Sequence, residues 1–498
     1  MQLKELIDQL TIASLSGDAE VEITGISIHS QQLQPGELFV CIPGIPGLQE
    51  DRHQYIDGAI KSGAAALIVE RDVDADVPVV KVPDARYALA LLSAHFYGYP
   101  SQELKLIGVT GTNGKTTTSY MIESILAHAG YQTGLMGNIG TKLGSTMLET
   151  DINTQDPHRL QANLKRMTEH SVDYCVMEAS SQGLHMGRVI GCEFRTAVFT
   201  NLTQDHLDYH GSMESYLAAK GLLFSRLGNS FAADPSKRKF AILNADDQAS
   251  GYFKGVTSAQ VITYGVNHSA DIMAKDIRLT SKGTSFMAVT FVGDMAIEIP
   301  MIGKFNVYNA LAAIGAALVE QVSLDIVREG LAELKSVAGR MEVIDENQDY
   351  LVLADYAHTP DGLENALSTL REFAEQRIIT VFGCGGDRDR TKRPIMGALA
   401  AKYSDYVIVT SDNPRSEEPI GILQDVERGL ITAGATTESY TLIADRGKAI
   451  ENAINMANSD DIVIIAGKGH ETYQIMKDRT IPFDDREEAR KAIQRKSK

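Results

Sequence analysis

The segment with the clearest chemical role is a glycine-rich loop, GVTGTNGKTT, at residues 108–117. It follows the apolar run Leu106–Val109 and leads into a helical pattern over Thr116–Ala129. Such a loop binds phosphate groups, because its backbone N–H groups and the positive end of the helix dipole face one point. We expect Lys115 to reach the β- and γ-phosphates of a nucleotide and the Thr116 hydroxyl to bind Mg²⁺. The loop lacks the first glycine of the pattern G-x-x-x-x-G-K-[ST], so a tight turn with an incidental lysine is the alternative.

Two further segments carry side chains that could bind a metal ion. Glu178 ends the buried-strand pattern YCVME and could hold Mg²⁺ opposite Thr116, as the second acidic element does in P-loop enzymes. A surface charge at the end of a strand is the alternative. His206, in the loop NLTQDHLDYHG, is a possible ligand of a second metal ion. A structural histidine is the alternative there.

Composition and charge exclude several classes of protein. The 498 residues include 47 Lys+Arg and 65 Asp+Glu, and the net charge of −18 argues against duplex DNA or an anionic membrane as the main partner. Glu5 and Asp8 stand where a secretion signal would need apolar residues. The longest apolar runs, such as Ala310–Val319, are too short to span a bilayer. We therefore expect a soluble, cytoplasmic protein.

The cysteines predict free thiols. Cys41, Cys175, Cys192 and Cys384 form no C-x-x-C pair and lie mostly in strand-like runs. Buried free thiols are therefore expected, with neither a disulfide nor a zinc site.

The chain length predicts about three domains, at roughly 150 residues each. A stretch of turn-forming residues, YGYPS at 97–101, ends the first segment, and a second series of alternating strands and helices begins after Gly339-Arg340. We predict an α/β protein: a small α/β domain over residues 1–98, a central P-loop-type parallel sheet with helices over 99–335, and a Rossmann-like domain over 336–498.

Apolar runs predict the strands of each segment. In the first segment the strand candidates are Glu22–Ile28, Leu38–Ile42, Ala65–Val69 and Val79–Val82. In the second segment, which also has a helix starting at Met213, they are Leu106–Val109, Tyr174–Met177, Ala197–Asn201 and Phe240–Leu243. In the third segment they are Leu351–Ala354, Ile378–Phe382, Tyr406–Thr410 and Ile462–Ala466. Each run of the third segment is followed by a polar or glycine-rich loop, where parallel sheets bind ligands.

Ten short strings occur in the order found in the Mur ligases, and the chain resembles that family from Ser30 to Glu471. The strings are GTNGKTT, MEASSQGL, NLTQDHLDYHG, KGLLF, GKFNVYNALAA, GRME, DYAHTPDGL, GCGGDRD, SDNPR and AGKGHE. The resemblance is strongest to the MurE-type enzymes, the UDP-N-acetylmuramoyl-tripeptide synthetases of peptidoglycan synthesis. It implies three domains, which bind a UDP-substrate, ATP and an incoming amino acid.

The resemblance also implies an ATP site, a metal site and a catalytic group. The implied ATP-binding residues are Gly111, Thr112, Asn113, Gly114, Lys115, Thr116, Thr117, Asn306, Asn309, Arg340 and Asp355. The implied ligands of Mg²⁺ are Thr116, Glu178, His206 and Lys220, the last as a carbamate, and the catalytic residues are Lys115, Lys220 and His206. Without the resemblance, Lys220 reads as an exposed helix lysine, and Asn306 and Asn309 could cap a helix.

For the UDP-MurNAc-dipeptide, the resemblance implies contacts from Ser30, Asn153, Thr154, Gln155, Ser180, Met186 and Arg188. Several positions depart from the family pattern. His29-Ser-Gln31 replaces Asp-Ser-Arg, Gln155 replaces a second Thr, Gln182 replaces a His, and Met186 replaces a Gln. The stretch 47–53 aligns ambiguously with the family's uridine-side loop.

For the incoming amino acid, the resemblance implies Arg388, Asp412, Asn413, Pro414, Arg415, Gly467 and Glu471. The string DNPR resembles the signature of enzymes that add meso-diaminopimelate. That amino acid is lysine with one more carboxylate, and an arginine can bind this group through two hydrogen bonds. Outside this context DNPR reads as a turn.

The reaction implied is ATP-dependent addition of meso-diaminopimelate to the D-Glu γ-carboxylate of UDP-MurNAc-L-Ala-D-Glu through an acyl phosphate. His358 is a candidate acceptor for the proton of the amine. The alternatives are the same reaction with L-lysine, a folylpolyglutamate-type ligase and a non-catalytic nucleotide-binding scaffold. We expect a monomer with neither a nucleic acid nor a membrane as partner.

Overall fold

The computed structural model describes residues 1–45, 49–144, 146–148, 150, 152–229, 234, 237–280 and 282–497. Gly47 and Leu48, at the start of the predicted uridine-side loop, lie outside the described residues. Each of the three large sheets lies within one of the predicted segments. The α/β class is confirmed, and the boundaries at 98/99 and 335/336 stay predictions.

The first segment forms a five-stranded sheet in the order β1-β5-β4-β3-β2, parallel except for β1. Its strands are β1 (Ser14–Ser16), β2 (Gly25–Ser27), β3 (Glu37–Val40), β4 (Ala66–Val69) and β5 (Val79–Lys81). Its helices are α1 (Leu3–Ile7), α2 (Ile56–Lys61) and α3 (Ala85–Phe96). The predicted strand Glu22–Ile28 is only three residues long. The three residues of β1 are exposed, so no apolar run marks it.

The central segment forms an eleven-stranded sheet in the order β16-β15-β14-β13-β12-β11-β6-β10-β7-β8-β9. Its strands are β6 (Lys105–Thr110), β7 (Thr133–Met136), β8 (Thr141–Leu143), β9 (Thr146–Leu148), β10 (Tyr174–Glu178), β11 (Phe194–Phe199), β12 (Phe240–Asn244), β13 (Gln260–Gly265), β14 (Ile272–Thr280), β15 (Gly283–Thr290) and β16 (Gly293–Ile299). The strands from β14 across to β7 are parallel, and β8–β9 and β15–β16 extend the sheet antiparallel. Strand β6 lies between β11 and β10, so the loop after it opens at the middle of the sheet.

Helices cover both faces of the central sheet. They are α4 (Lys115–His128), α5 (Pro157–Glu169), α6 (Ser181–His185), α7 (Leu207–His210), α8 (Met213–Ser225), α9 (Ala249–Val256), α10 (Lys304–Val319) and α11 (Leu324–Glu333). Helix α10 is buried almost all round and packs on α4 and the sheet, which explains its run of alanines. Gly315 lets it approach closely, since a Cβ there would lie 2.9 Å from Ile242 Cγ2.

The third segment forms a six-stranded sheet in the order β17-β18-β22-β19-β20-β21, parallel except for β17, and a separate hairpin of β23 and β24. Its strands are β17 (Glu342–Val343), β18 (Leu351–Asp355), β19 (Ile378–Phe382), β20 (Tyr406–Val409), β21 (Tyr440–Leu442), β22 (Ile462–Ala466), β23 (Tyr473–Ile475) and β24 (Thr480–Pro482). Its helices are α12 (Pro360–Phe373), α13 (Lys392–Tyr403), α14 (Pro419–Thr432), α15 (Arg446–Met456) and α16 (Asp485–Lys496). The four predicted strands are β18, β19, β20 and β22, each within one residue of its predicted ends.

The cysteines are free thiols, as predicted, and three of the four are buried. Burial raises the pKa of Cys384 to about 12, so this thiol stays protonated at neutral pH. Within the described residues, no helix combines the length and the apolar character that a bilayer crossing needs.

His158 makes the stability of the fold depend on pH. It lies in the first turn of α5, where burial lowers its pKa from 6.5 to about 4. Between these two values the unfolded chain takes up a proton that the folded chain does not. The free energy of unfolding therefore falls as the pH drops from about 6.5 to about 4, and this contribution is intact above 6.5.

We expect His158→Gln to reduce the loss of stability between pH 7.5 and pH 4.5. Urea unfolding at a series of pH values measures it as a shallower slope of unfolding free energy against pH. The exposed His170 of the same segment provides the control, since His170→Gln should keep the parent's slope. A parent-like slope in the His158 variant would contradict the assignment.

Candidate functional site

A cavity of about 790 Å³ lies between the central sheet and the third segment. The loop after β6 and the end of β10 form one wall, and the start of α12 with the loop before it forms the other. Both walls therefore consist of segments that follow the carboxyl ends of parallel strands, where open α/β sheets bind ligands. The predicted site residues in its lining are Thr112, Asn113, Gly114, Lys115, Thr116, Thr117, Asn153, Thr154, Glu178, Ser180, Arg188, His206, Asn309, Arg340 and Asp355.

The loop after β6 is held open by the segment that follows β11. The amide of Asn113 donates to Asn201 Oδ1 at 2.9 Å, and the hydroxyl of Thr200 donates to the carbonyl of Asn113 at 2.6 Å. Gly111 and Gly114 have φ values of 152° and 83°, which side chains other than glycine rarely adopt. These contacts leave the first turn of α4 facing the cavity.

We expect Gly111→Ala to abolish nucleotide binding while most of the fold persists. A Cβ at this position would overlap the Thr200 hydroxyl, and φ is left-handed as well, so the loop must move. Isothermal titration with ATP measures the loss. Gly130→Ala is a matched control, because its φ of 88° is also left-handed and a Cβ there meets no atom within 4 Å. Unchanged ATP affinity in Gly111→Ala would contradict the role given to the loop.

Lys115 is the first residue of α4, and its side chain folds back over the phosphate loop. Its amino group donates to the carbonyls of Gly111 at 3.0 Å and Thr112 at 2.8 Å. Burial lowers the pKa of Lys115, and the charge of Glu178 opposes that shift. An opposite charge nearby, such as that of a phosphate group, favours the charged form of a lysine and would raise this pKa.

Arg340 brings a cation from the third segment to the first turn of α4. Its Nη2 donates to Thr116 Oγ1 at 3.1 Å, and its guanidinium lies 4.4 Å from the centre of the Tyr356 ring. Asp355 holds the turn that carries Arg340, accepting from the amides of Met341 at 2.7 Å and Ala357 at 2.9 Å. The predicted nucleotide residues of the two segments thus meet across the cavity.

Glu178 and Thr116 offer oxygen atoms to the same cavity. Glu178 is 1% exposed and accepts hydrogen bonds from the amide of Asn138 and from Asn153 Nδ2, both at 3.0 Å. His206 Nε2 lies 3.3 Å from Asp205 Oδ2, and the side chain of His206 is 43% exposed. Partial desolvation in the loop lowers its pKa, which favours the neutral ring that can bind a metal ion. Carboxylate and hydroxyl oxygens are the donors that Mg²⁺ prefers.

Lys220 lies behind the phosphate loop and does not line the cavity. It is 1% exposed, donates to the carbonyl of Gly111 at 2.7 Å and stacks 4.5 Å from the centre of the Tyr216 ring. The exposed helix lysine that its sequence alone suggests is therefore wrong. Burial, together with the charge of Lys115, lowers the pKa of Lys220 well below its usual value.

The two predicted asparagines of α10 have different surroundings. Asn309 lines the cavity and accepts from Thr118 Oγ1 at 3.2 Å, and a Cβ at Gly114 would collide with it. Asn306 is 2% exposed, does not line the cavity and donates to the carbonyl of Ile302. It contacts the cavity residue Asn309, whose Nδ2 donates to Asn306 Oδ1 at 3.0 Å.

Four of the residues predicted for the UDP-substrate lie together at one end of the cavity. Arg188 forms an ion pair with Asp156 at 2.9 Å and donates to the carbonyl of Thr154 at 2.9 Å, and Thr154 and Ser180 share a hydrogen bond of 2.9 Å. Asn153 completes this group. The remaining predicted contacts do not line the cavity: Ser30, Gln155 and Met186. Gln155 is buried and bonds to Thr141 and Asn163 inside the central segment.

The residues predicted for the amino acid form a second cluster, outside the lining of the cavity. The Arg415 guanidinium donates to the carbonyl of Gly386 at 2.9 Å, which places it beside Arg388. Burial lowers the pKa of Arg415, and the charge of Arg388 lowers it further.

Glu471 and its neighbours form the other side of that cluster. Glu471 Oε2 accepts from Asn413 Nδ2 at 3.0 Å and from the fully buried Lys468 at 2.9 Å. Oε1 lies 3.5 Å from the Tyr356 hydroxyl. Gly467, with φ 122°, lies against Asp412, because a Cβ there would be 2.6 Å from Asp412 Oδ2.

Several residues of the site were missed from the sequence, among them Tyr356, Asp361 and Asn138. Tyr356 touches Arg340 on one side and Glu471 on the other, and so joins the cavity to the second cluster. Asp361 accepts from Asn113 Nδ2 at 2.6 Å, across the two segments. Both lie in the string DYAHTPDGL, which was available as a signal. Asn138 follows β7, a strand the apolar runs did not predict.

Three parts of the chain match families of known domains. Residues 109–317 match the Mur ligase middle domain, residues 339–469 the Mur ligase glutamate ligase domain, and residues 22–97 the catalytic domain of the Mur ligase family. A relative from Geobacillus thermodenitrificans, named UDP-N-acetylmuramoyl-L-alanyl-D-glutamate--2,6-diaminopimelate ligase, is 48% identical over 493 residues, which cover 99% of this chain and 99% of the relative.

Solved structures resemble the chain over almost its whole length. A structure of UDP-N-acetylmuramoyl-L-alanyl-D-glutamate--2,6-diaminopimelate ligase has a TM-score of 0.69 at 32% identity and covers 100% of this chain and 99% of its own. The MurF ligase of Thermotoga maritima, solved in complex with ADP, has a TM-score of 0.66 at 18% identity and covers 95% of this chain and 97% of its own. At 18% identity, the likeness to the Thermotoga maritima structure shows a shared fold alone.

Proposed function

This chain belongs to the Mur ligase family, and from that premise we propose that it joins meso-diaminopimelate to the D-Glu γ-carboxylate of UDP-MurNAc-L-Ala-D-Glu in an ATP-dependent reaction of peptidoglycan precursor synthesis. The observation that carries the proposal is the placement of Arg388 and Arg415 beside each other, since two cations suit an amino acid with an additional carboxylate. The names of the full-length relatives support the same substrates.

We assign the ATP half of the reaction to the phosphate loop and Arg340. The γ-carboxylate of D-Glu attacks the γ-phosphorus of ATP, the bond from that phosphorus to the bridging oxygen breaks, and ADP leaves an acyl phosphate behind. Lys115 and Arg340 offset the negative charge on the transferred group. Phosphoryl transfer depends mainly on such positioning and charge stabilisation.

We propose that Thr116, Glu178 and His206, which line the cavity, hold Mg²⁺, and that Lys220, which lies behind the phosphate loop, contributes as a carbamate. The oxygen donors of Thr116 and Glu178 face the cavity, which fits a hard cation. When bound, Mg²⁺ neutralises phosphate oxygens. The lowered pKa of Lys220 increases the share of neutral amine, whose lone pair can add to CO₂ to form a carbamate with release of a proton.

The second half of the reaction belongs to the cluster around Arg415. The α-amine of meso-diaminopimelate attacks the acyl carbon, the bond from that carbon to the phosphate oxygen breaks, and phosphate leaves. The nitrogen releases one proton as the amide forms. Arg388 and Arg415 bind the distal carboxylate, while Gly467 and Glu471 hold the ammonium end. Because Glu471 Oε2 already has two partners, Oε1 is the oxygen available to the substrate.

His358 is poorly suited to accept the proton of the amine. Its Nδ1 lies 2.8 Å from the carbonyl of Tyr356, so that nitrogen carries the hydrogen and Nε2 has the free lone pair. Burial, with the charge of Lys392, lowers the pKa of His358 to about 4. A general base works best when its pKa is near the operating pH, and this value is well below neutral.

A phosphate-release assay tests the proposed function. The purified protein is given ATP, Mg²⁺ and UDP-MurNAc-L-Ala-D-Glu with either meso-diaminopimelate or L-lysine, and a parallel reaction contains a folate acceptor with L-glutamate. We expect turnover with diaminopimelate and a rate at least about 100-fold lower with lysine. Lysine has no distal carboxylate, so its binding would leave the Arg415 charge without a partner. Turnover with lysine alone would contradict the specificity, and no turnover in any mixture would contradict the ligase proposal.

We also propose that the enzyme acts as a monomer in the cytoplasm, with neither a nucleic acid nor a membrane as partner. The net charge of −18 supports this, because it opposes association with polyanions and favours solubility. Sedimentation velocity at micromolar concentration should give a single species with the mass of one chain. A species of twice that mass would contradict the proposal.

A further inference from the structure

Arg393 is a fully buried arginine behind the amino-acid cluster, and nothing in the proposed reaction uses it. It lies in the first turn of α13, and its side chain has no exposed surface. We propose that the ion pair of Arg393 and Glu417 positions Arg388 and Arg415, and thereby sets the preference for an amino acid with a distal carboxylate. This inference rests on the proposed function, whose carboxylate-binding groups it supports.

The ion pair has the geometry of a strong, orienting contact. Arg393 Nη1 donates to Glu417 Oε2 at 3.0 Å, and Nη2 donates to Oε1 at 2.7 Å. These two parallel hydrogen bonds fix the guanidinium plane relative to the carboxylate plane. Nη1 also bonds to Asp425 Oδ2 at 2.9 Å, and Nη2 to the carbonyl of Gly385 at 3.2 Å. One guanidinium therefore contacts both the loop after β19 and the loop after β20.

Glu417 ties the same two loops together a second time. Its Oε1 also accepts from the amide of Asp387 at 2.7 Å, next to Arg388. The carboxylate of Asp387 in turn accepts from the amide of Ser416 at 3.1 Å and from its hydroxyl at 2.6 Å, next to Arg415. Each of the two loops therefore both donates hydrogen bonds to the other loop and accepts hydrogen bonds from it, next to the two cations.

The two loops need this tie because their arrangement is unfavourable without it. Asp387 and Arg415 both have φ 53°, a left-handed conformation that costs about 1 kcal/mol or more for a side-chain residue. Arg388 and Arg415 carry like charges close together, which repel each other. Gly386 packs so closely on Pro414 that a Cβ would overlap the Pro414 carbonyl.

The loops therefore have two opposing tendencies. Charge repulsion and backbone strain separate them, while the Arg393–Glu417 pair holds them in register. If the pair is broken, Arg388 and Arg415 remain in the protein but lose their common orientation. Binding of the distal carboxylate should weaken most, because it needs both cations, whereas lysine has no group to place there.

The variant Glu417→Ala tests the inference without stranding Arg393, which keeps Asp425 as a partner. Glu417→Gln is the conservative variant, because its carbonyl oxygen can still accept from the amide of Asp387. Asp461→Ala is the matched control. Asp461 is 2% exposed and pairs with Arg377 at 2.6 Å, at the amino ends of β22 and β19 and so at the far edge of the sheet from the two loops. Thermal unfolding of all three variants measures their losses of stability, which should be comparable.

Steady-state phosphate release supplies the decisive readout. For Glu417→Ala we expect KM for diaminopimelate to rise by about 30-fold or more, with kcat and KM for ATP within about threefold of the parent. The ratio of kcat/KM for diaminopimelate over lysine should fall by the same factor. Glu417→Gln should recover most of the loss, and Asp461→Ala should keep the parent's ratio.

Three results would overturn the inference. Glu417→Ala could keep the parent's KM for diaminopimelate, could lose diaminopimelate, lysine and ATP use in equal measure, or could lose no more selectivity than Asp461→Ala. The parent enzyme separates these from failure of the proposed function. A parent that releases no phosphate with diaminopimelate overturns the proposed function, and the inference with it, whereas an active parent confines the failure to the inference.

Discussion

Replacing Arg340 by alanine should lower kcat by about 1,000-fold or more, because an arginine that stabilises a transferring phosphoryl group is worth about that factor. Arg340 belongs to the third segment, yet its guanidinium donates to the Thr116 hydroxyl in the first turn of α4. It therefore brings positive charge to the phosphate loop only while the two segments are together. Phosphate release at saturating ATP and UDP-MurNAc-dipeptide measures the effect, and KM for diaminopimelate should change by less than about threefold.

Two variants separate charge from structure in this prediction. Arg340→Lys keeps the cation but not the planar fork, so we expect intermediate activity. Arg328→Ala removes an arginine from the surface of α11, where its side chain is 46% exposed, and should leave kcat unchanged. A kcat for Arg340→Ala within tenfold of the parent would contradict the role of this residue.

Four strands of the third segment, β18, β19, β20 and β22, were predictable because each is a short and largely buried apolar run. Ile378–Phe382 and Ile462–Ala466 are buried at every position, so hydrophobicity alone marks them. The antiparallel strand β16 alternates between exposed and buried residues, and β9 is largely exposed. Strands of this kind are stabilised by their neighbours in the sheet, which a search for apolar runs does not detect.

The site was predictable where one segment carries the chemistry by itself. The phosphate loop has its glycines, its lysine and its helix start within ten residues, so local sequence indicates its function. Lys220 is different, because its neighbours Gly111 and Lys115 are about a hundred residues away, and only the fold buries it beside them. Arg393 is a further case, since nothing in TKRPIMG distinguishes it from a surface arginine of a helix.

The net charge described the surface but not the site. The chain is acidic overall, and its proposed substrates are anionic, so the positive charge must be concentrated locally. Lys115 and Arg340 meet at the cavity, and Arg388 and Arg415 meet at the second cluster. Tyr356 lies between the two groups and touches Arg340 and Glu471. The two halves of the proposed reaction are therefore joined through one aromatic side chain.

Replacing Arg415 by alanine should reduce kcat/KM for diaminopimelate by about 100-fold or more, since removing one partner of a buried charge contact costs about 2–5 kcal/mol. A change in backbone strain would not account for this loss, because the Arg415 φ of 53° is as unfavourable for alanine as for arginine. Affinity for ATP should stay at the parent's level, because Arg415 does not line the nucleotide cavity.

Lysine provides the internal control for Arg415. Without a distal carboxylate, lysine gains nothing from the guanidinium, and the parent leaves the half-buried Arg415 charge without a carboxylate partner when lysine is bound. Arg415→Ala should therefore use lysine as well as the parent does or better. The preference for diaminopimelate over lysine then falls because diaminopimelate use decreases while lysine use does not. Arg479→Ala, at an exposed position of the β23–β24 hairpin, should change neither substrate. Equal losses for both amino acids in Arg415→Ala would show that the residue supports the loop and does not read the carboxylate.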